Sequence, residues 1–325
     1  MTRPFRIAIL SDIHYACAAE QAEGDDYEYR NIRNPFVRWP ARLYRNIVWQ
    51  RLPLQQNTLL DRFLTEVGPV DYVVANGDYT ANVAALGVSN DDAFQSAHEC
   101  LDKLRQKFGD RLRANFGDHE LGKLRLFGSR GRMQLSSWRR ATGELGLQPF
   151  WQIAIGNYLL IGVTSTLIAL PVFRTDAIAE EWPEWERLGE QHLNDIRTAF
   201  ADVQTQQRIL LFCHDPTALP FLWRDETVRA KLPQVEQTII GHLHSNLYLW
   251  KSRWLAGMPV IPFLGRAVKK FSTALNQAHL WKPFHVRLCP ALAGIQLLND
   301  GGYLTAELDP EAKSPARFQF HPLPK

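Results

Sequence analysis

Five short apolar runs in this chain each stop at an aspartate or a histidine. FRIAIL (5–10) leads into Ser11-Asp12-Ile13-His14, and DYVVAN (71–76) leads into Gly77-Asp78. RLRANF (111–116) runs into Gly117-Asp118-His119-Glu120, RILLFC (208–213) into His214, and QTII (237–240) into Gly241-His242-Leu243-His244. Runs of this length and composition, rich in Val, Ile, Leu and Phe, read as buried strands. Side chains at i and i+2 leave a strand on the same side, so Asp12 with His14 and His242 with His244 each project as a pair. In open α/β sheets the carboxyl edge of the strands is where ligands bind. The pattern therefore calls for a fold that gathers several strand ends at one edge. It places three Asp and five His there, half of the ten histidines in the chain.

Helical periodicity lies between many of the runs. Residues 55–67 put Leu59, Leu60, Phe63 and Leu64 on one face, and 91–108 and 188–200 repeat the pattern. Four further runs, MPVIPF (258–263), FHVRL (284–288), AGIQLL (293–298) and YLTAEL (303–308), read as late strands. Strands alternating with helices early and dominating late predict an α/β fold, with two mixed β-sheets packed as a sandwich and flanked by helices. No Pro/Gly/Ser-rich linker divides the 325 residues, so a single domain over 1–325 is expected. The uncharged stretch from Leu145 to Phe173 has the length of a membrane span. Its Gly156-Asn157 pair instead predicts a hairpin between two β-rich halves. The N-terminal apolar run ends at Asp12, too soon for the apolar core of a signal peptide. Cys17, Cys100, Cys213 and Cys289 form no C-x-x-C pair, which suits reduced thiols in a cytoplasmic protein.

Carboxylate oxygen together with imidazole nitrogen suits Mn, Fe, Zn or Co. Seven donors at the strand ends, Asp12, His14, Asp78, Asp118, His214, His242 and His244, are too many for one ion and suit two ions sharing a carboxylate. Each motif alone says little, since Gly-Asp is a common turn and a lone His after a strand is usually a core residue. Taken in order, D-x-H, G-D, G-D-H-E, H and G-H-x-H resemble the calcineurin-like metallophosphoesterase superfamily over roughly residues 5–250. The resemblance implies the four-layer αββα fold with a dinuclear metal centre, Mn first and Fe, Zn or Co as alternatives. It implies that Asp12, His14, Asp78 and His244 hold one ion, and that Asp78 (bridging), Asp118, His214 and His242 hold the other. His119 would then protonate the leaving oxygen, with Glu120 orienting it. Two such cations, about 3.5–4 Å apart, make a bridging hydroxide available at neutral pH to attack phosphorus in line. One letter departs from the family: Asp118 stands where Asn is usual. A carboxylate keeps the oxygen donor and adds a charge, which predicts tighter cation binding and a raised pKa for His119.

The substrate is addressed by a second departure. Asp12 and Asp78 are separated by an insertion, 18–56, which begins acidic and then reads RNIRNPFVRWPARLYRNIVWQR over 30–51. Pro40 suits the first turn of a helix. Leu43, Tyr44, Ile47 and Val48 then form one face, and Arg38, Arg42 and Arg45 another. No acid occurs over 30–60, over 121–143, where Arg125 follows the His119 loop, or over 237–299. The last stretch carries an apolar stripe of Leu264, Val268, Phe271, Leu275 and Ala278, a cap helix within a 251–325 segment of otherwise C-terminal strands. Singly, such stretches read as solvated basic faces over buried apolar stripes. Together they predict a cap that grips an anionic phosphorylated substrate through Arg38, Arg42, Arg45 and Arg125. Lipid-linked substrates and peripheral contact with an anionic membrane surface fall within that expectation. In this architectural sense the chain resembles the UDP-diacylglucosamine pyrophosphohydrolases, superfamily members acting on membrane-borne pyrophosphates. A nucleotide or nucleic-acid phosphodiesterase is the first alternative, since basic patches and aromatics also serve nucleic acid. The net charge of +3 and the lack of a nucleic-acid module weigh against it. A non-catalytic binding protein on a degenerate phosphoesterase fold is the second, and no obligate protein partner is inferred.

Overall fold

The computed structural model describes residues 3–24, 29, 32, 34–81, 86–123, 132–263 and 266–323. Arg125 and Leu264 lie outside them. The strands are β1 (Phe5–Leu10), β2 (Tyr72–Ala75), β3 (Leu112–Ala114), β4 (Phe150–Ile155) and β5 (Tyr158–Val163), then β6 (Arg208–Cys213), β7 (Val235–Ile240), β8 (Val286–Leu288), β9 (Gly302–Leu308) and β10 (Arg317–Pro322). One sheet runs β10-β9-β1-β2-β3, with β1, β2 and β3 parallel and β9 antiparallel to both neighbours. The other runs β4-β5-β6-β7-β8, parallel except for the β4–β5 hairpin that turns at Gly156-Asn157.

The two sheets face each other because their strands are apolar on both sides, as parallel strands must be when covered twice. In β1, Ile7 and Ile9 point into a core shared with Trp151, Leu160, Phe212 and Ile239 of the second sheet. Ala8 and Leu10 point the other way, into the larger core beneath the helices. Early helices are α1 (Ala18–Ala22), α2 (Pro35–Tyr44), α3 (Asn57–Glu66), α4 (Asp91–Phe108) and α5 (Leu135–Gly143). After β5 come α6 (Ser165–Ile168), α7 (Leu170–Phe173) and α8 (Trp182–Ala201). Next come α9 (Leu219–Arg224), α10 (Glu226–Lys231), α11 (Asn246–Trp254) and α12 (Arg266–Gln277). The predicted periodic faces are used as expected in α3, which buries Leu59, Leu60 and Phe63, and in α4, which buries Ala97, Leu101 and Leu104.

Several local expectations are corrected. MPVIPF forms no strand: Pro259 and Pro262 each remove a ladder donor. AGIQLL forms none either, because the Gln296 and Leu297 N–H groups donate to the Trp49 and Val48 carbonyls instead of to a neighbouring strand. β10 was not among the predicted runs. α2 starts at Pro35, with Asn34 Oδ1 accepting from the Phe36 N–H at 2.9 Å, so Pro40 falls inside the helix and not in its first turn. A π-helical turn, Arg45–Trp49, follows directly. No helix is long and apolar enough to cross a membrane among the described residues.

His192 makes the stability of this scaffold sensitive to pH. It is buried on α8, where its Nε2 accepts from the Thr164 N–H at 3.0 Å. Burial pushes its pKa down to about 3. In the unfolded chain the ring takes a proton near pH 6.5, while the folded chain resists it until about pH 3. This contribution is fully present above pH 6.5 and is lost below it, at about 1.4 kcal/mol per unit. Urea unfolding from pH 7 to pH 5 should therefore show a falling midpoint, and His192→Gln, which keeps an acceptor but does not titrate, should show a shallower fall. Equal slopes would assign the effect to other groups.

Candidate metal centre

Every strand end named in the sequence arrives at the same edge of the sandwich. Asp78, Asp118, His214 and His242 each offer a donor atom to a group in which all such atoms lie within 4.8 Å of one another. Asp12, His14 and His244 form a second group, and His14, Asp78 and His119 a third. Asp12, Asp78, Asp118 and His214 are almost wholly buried. The sharp turns needed to aim these side chains inward are visible in the backbone. Among the described residues other than glycine, positive φ occurs at Asp12, His14, Asp78, His242 and His244, and at four positions elsewhere. Each left-handed residue of this kind costs on the order of 1 kcal/mol, so the surrounding contacts must hold it there.

Those contacts can be named. Glu120 accepts from the Tyr79 N–H at 2.8 Å, the Gly117 N–H at 2.7 Å and the Asp78 N–H at 3.2 Å, tying the loop after β2 to the loop after β3. The role expected for Glu120, orienting the imidazole of His119, is not what these bonds do. They fix backbone. Gly77 and Gly117 are in such close approach that a Cβ on Gly117 would lie 2.0 Å from Asp78 Oδ1. Asn115 Nδ2 donates to Asn76 Oδ1 at 2.8 Å, and its Oδ1 accepts from Trp151 Nε1 at 2.6 Å, linking the two sheets just beneath the cluster. Sequence reasoning passed over both asparagines, although Asn76 closes one predicted strand and Asn115 is the last residue but one of another.

The donor set demands positive charge. His214 Nδ1 donates to the Asn76 carbonyl at 2.6 Å, which turns Nε2 towards the acids. That Nε2 is buried and makes no hydrogen bond, yet it sits 3.3 Å from Asp78 Oδ2 and 3.5 Å from Asp118 Oδ1. A bare lone pair facing two carboxylates is repulsive unless a proton or a cation lies between them. Burial disfavours a charged His214, but Asp78 and Asp12 overcome it and hold its pKa well above the usual range. In the second group His14 Nδ1 donates to the Thr80 carbonyl at 3.3 Å, leaving Nε2 3.3 Å from His244 Nε2. The residues thus fit two divalent cations, with His14 and His214 each oriented by a backbone carbonyl as ligating histidines often are.

Asp118 has a partner that sequence reasoning did not assign to the site. Lys123 Nζ pairs with Asp118 Oδ2, while Oδ1 faces His242 Nδ1 at 3.1 Å. One oxygen is thereby taken up by an ammonium and the other offered to the cluster, so the pair presents what a neutral amide would. The expected rise of the His119 pKa is reversed: Asp118 and Asp78 do pull upward, but burial outweighs them and holds it down to about 3. His242 is pushed up to about 9, burial being outweighed by Asp215 and Asp118.

A cavity of ≈ 300 Å³ opens onto the cluster, lined by His14, His119, His242 and Lys123 and also by Arg45, Trp49 and Gln50. Trp49 lies with its ring 4.7 Å from that of His244. Of the arginines predicted to contact substrate, Arg45 reaches this wall. Arg38 and Arg42 stand half-buried on α2 and are not among the lining residues. Trp49 and Gln50 were not singled out in the sequence, since nothing local marks them.

The family model described as calcineurin-like phosphoesterase matches residues 5–246. Among solved structures the chain is similar to a purple acid phosphatase from yellow lupin (Lupinus luteus) seeds, with 13% identity, a TM-score of 0.40 and coverage of 75% of this chain and 38% of that one. It is similar also to a phosphopantetheinyl hydrolase from Mycobacterium tuberculosis, with 13% identity, a TM-score of 0.36 and coverage of 75% and 84%. The chain spans only 38% of the lupin enzyme's length. No curated protein matches it.

The Asp118–Lys123 pair generates a test that does not depend on turnover. Lys123→Met leaves a buried carboxylate without its ammonium, which should cost about 3 kcal/mol in chelator-treated protein. Mn²⁺ should restore more stability to this variant than to the wild type, and should bind it about tenfold more tightly. In Asp118→Asn/Lys123→Met the metal-free penalty should vanish. Urea unfolding and calorimetric titration read both quantities, and a Lys123→Met variant as stable as the parent without metal would remove the compensation argument.

Proposed function

Because the chain belongs to the calcineurin-like phosphoesterases, we propose that it hydrolyses a phosphoester or pyrophosphate bond with the help of two divalent or transition-metal ions. The observation that carries this reading is the orphaned, buried Nε2 of His214 facing Asp78 and Asp118, with Asp78 itself lining a cavity large enough for a phosphate group. Held there, two cations would activate water and polarise phosphate oxygens. We assign Asp12, His14 and His244 to one ion, Asp118, His214 and His242 to the other, and Asp78 to both. Mn²⁺ is the metal we would load first.

The chain's own residues divide the remaining tasks. Lys123 and Arg45 both bring positive charge to the cavity lining, suited to the non-bridging oxygens of an anionic substrate. His119 sits at the cavity wall with Nε2 3.9 Å from Asp78 Oδ2, in position to pass a proton to a leaving oxygen. Burial holds its pKa down, and a phosphate anion beside it would favour the protonated form. Trp49 offers a flat apolar surface, and Gln50 a buried amide whose Nε2 has no hydrogen-bond partner, to whatever the phosphate carries. The substrate is then a phosphate or pyrophosphate joined to a group with both apolar and polar parts, and the lipid-linked class is included.

The reading predicts a Mn²⁺-dependent rate on an aryl phosphodiester that is lost in His242→Ala. His119→Ala should lower kcat by about 10²–10⁴-fold and leave metal stoichiometry at two. A protein that binds two Mn²⁺ yet turns over no mono-, di- or pyrophosphate ester would instead be a binding protein on this fold.

A further inference from the structure

An amphipathic helix on a soluble protein turns its apolar side to the core. α2 does the reverse. None of its residues is buried; Phe36 is 87% exposed and Trp39 67%, with Leu43 exposed beside them, while Arg38 and Arg42 are half-buried together with Val37 and Ala41. The buried apolar stripe expected from the sequence is thus an exposed one. It continues past the helix through Ile47.

This face does not end with the arm. Tyr44 Oη and Tyr248 Oη lie 2.6 Å apart, joining α2 to α11, which exposes Trp250 and, at 75%, Trp254. The Val48 and Trp49 carbonyls hold the segment that exposes Leu297 and Leu298. α12 is fastened to the segment after α11, with Asn276 Nδ2 donating to the Met258 carbonyl and Ser272 Oγ accepting from the Ile261 N–H. It exposes Phe271, and Phe263 is 80% exposed just before it. Among the described residues, every exposed large hydrophobic except Phe320 comes from 36–52 or from 250–298. The acid-free stretches 30–60 and 237–299 that contain them hold thirteen Lys and Arg. Some of these are engaged, as Lys270 is with Asp176 at 2.7 Å, but no carboxylate belongs to either stretch.

We propose that these linked exposed segments form one face that seats the protein on an anionic lipid bilayer, aromatic and aliphatic side chains entering the interface and the basic residues meeting lipid phosphates. Trp and Tyr suit the boundary because one end of each ring system is apolar and the other polar. Lys and Arg beside them are attracted by the negative surface potential. A second copy of the chain fits the face poorly, because a two-fold contact would set two basic stretches without a carboxylate of their own against the same two stretches. A single-stranded nucleic acid would use the aromatics, yet Leu43, Ile47, Leu297 and Leu298 offer bases no stacking platform and suit acyl chains. The arm that exposes Phe36 and Trp39 also walls the cavity through Arg45, Trp49 and Gln50, so seating it brings the cavity beside the headgroups. That last consequence rests on the hydrolase reading; the seating itself does not.

Flotation with vesicles tests the seating apart from catalysis. The Mn²⁺-loaded full chain should float with phosphatidylcholine vesicles containing about 30% phosphatidylglycerol, and not with phosphatidylcholine alone. High salt should weaken the binding. Trp39→Ser/Trp254→Ser should reduce partition about tenfold or more, while its thermal midpoint and its rate on a small aryl phosphodiester stay at the parent's values. A wild type that fails to float with the anionic vesicles overturns the proposal, even if the face then proves to hold a second copy or an oligonucleotide. So does a double variant that floats as well as the parent. Loss of flotation would leave the hydrolase reading untouched, and absence of turnover would leave the seating untouched.

Discussion

Three carboxylates, those of Asp12, Asp78 and Asp118, are buried at one edge of the sandwich, and their mutual repulsion is the constraint around which the rest is arranged. Each has to be met by positive charge or by hydrogen-bond donors. Asp12 accepts from Ser11 Oγ at 2.6 Å and from the His242 N–H, Asp78 accepts from the His119 N–H at 2.9 Å, and Asp118 pairs with Lys123. What these leave over falls on His214, whose buried Nε2 is aimed between two acids with no bond of its own. Two cations would relieve that imbalance, which is why the cluster reads as a site and not as a structural ion-pair network. The left-handed backbone at five of its residues is held in place by the same contacts, with Glu120 and the Asn76–Asn115 link bracing the turns from behind.

The substitution of a carboxylate for the usual amide at 118 acquires a physical account from this arrangement. An added charge alone would tighten cation binding and pull protons onto its neighbours. Lys123 supplies the opposite charge at the second oxygen, so the oxygen that faces His242 behaves as a donor of nearly neutral overall environment. His119 follows burial and the neighbouring cations more than it follows Asp118. The carboxylate at 118 thus acts together with Lys123, five positions on in sequence.

The insertion and the centre are also coupled. The π-helical turn after α2 delivers Arg45 and Trp49 to the cavity, while α2 itself carries its apolar residues outward. One short segment therefore serves two surfaces, an inner one with cationic and aromatic groups and an outer one with aromatic and aliphatic groups. Its contacts with the body include the Tyr44–Tyr248 bond, the Trp49 ring against His244 and Tyr248, and two backbone bonds to residues 296 and 297.

The sandwich and the cluster were legible in the sequence because both are written in local periodicities. Short apolar runs marked β1, β6 and β7, repeats near 3.6 marked α3 and α4, and i, i+2 pairs at strand ends announced Asp12 with His14 and His242 with His244. Local pattern misled where partners came from afar. AGIQLL has a strand's composition, but its N–H groups go to Trp49 and Val48, hundreds of residues earlier in the chain. The same holds for Lys123, Trp49, Gln50, Asn76 and Asn115, none of which carries a signal in its own neighbourhood. Most telling is α2: an apolar stripe beside a basic one states that a helix has two faces, not which of them turns inward. That choice depends on what the rest of the fold offers opposite, and only tertiary packing decides it.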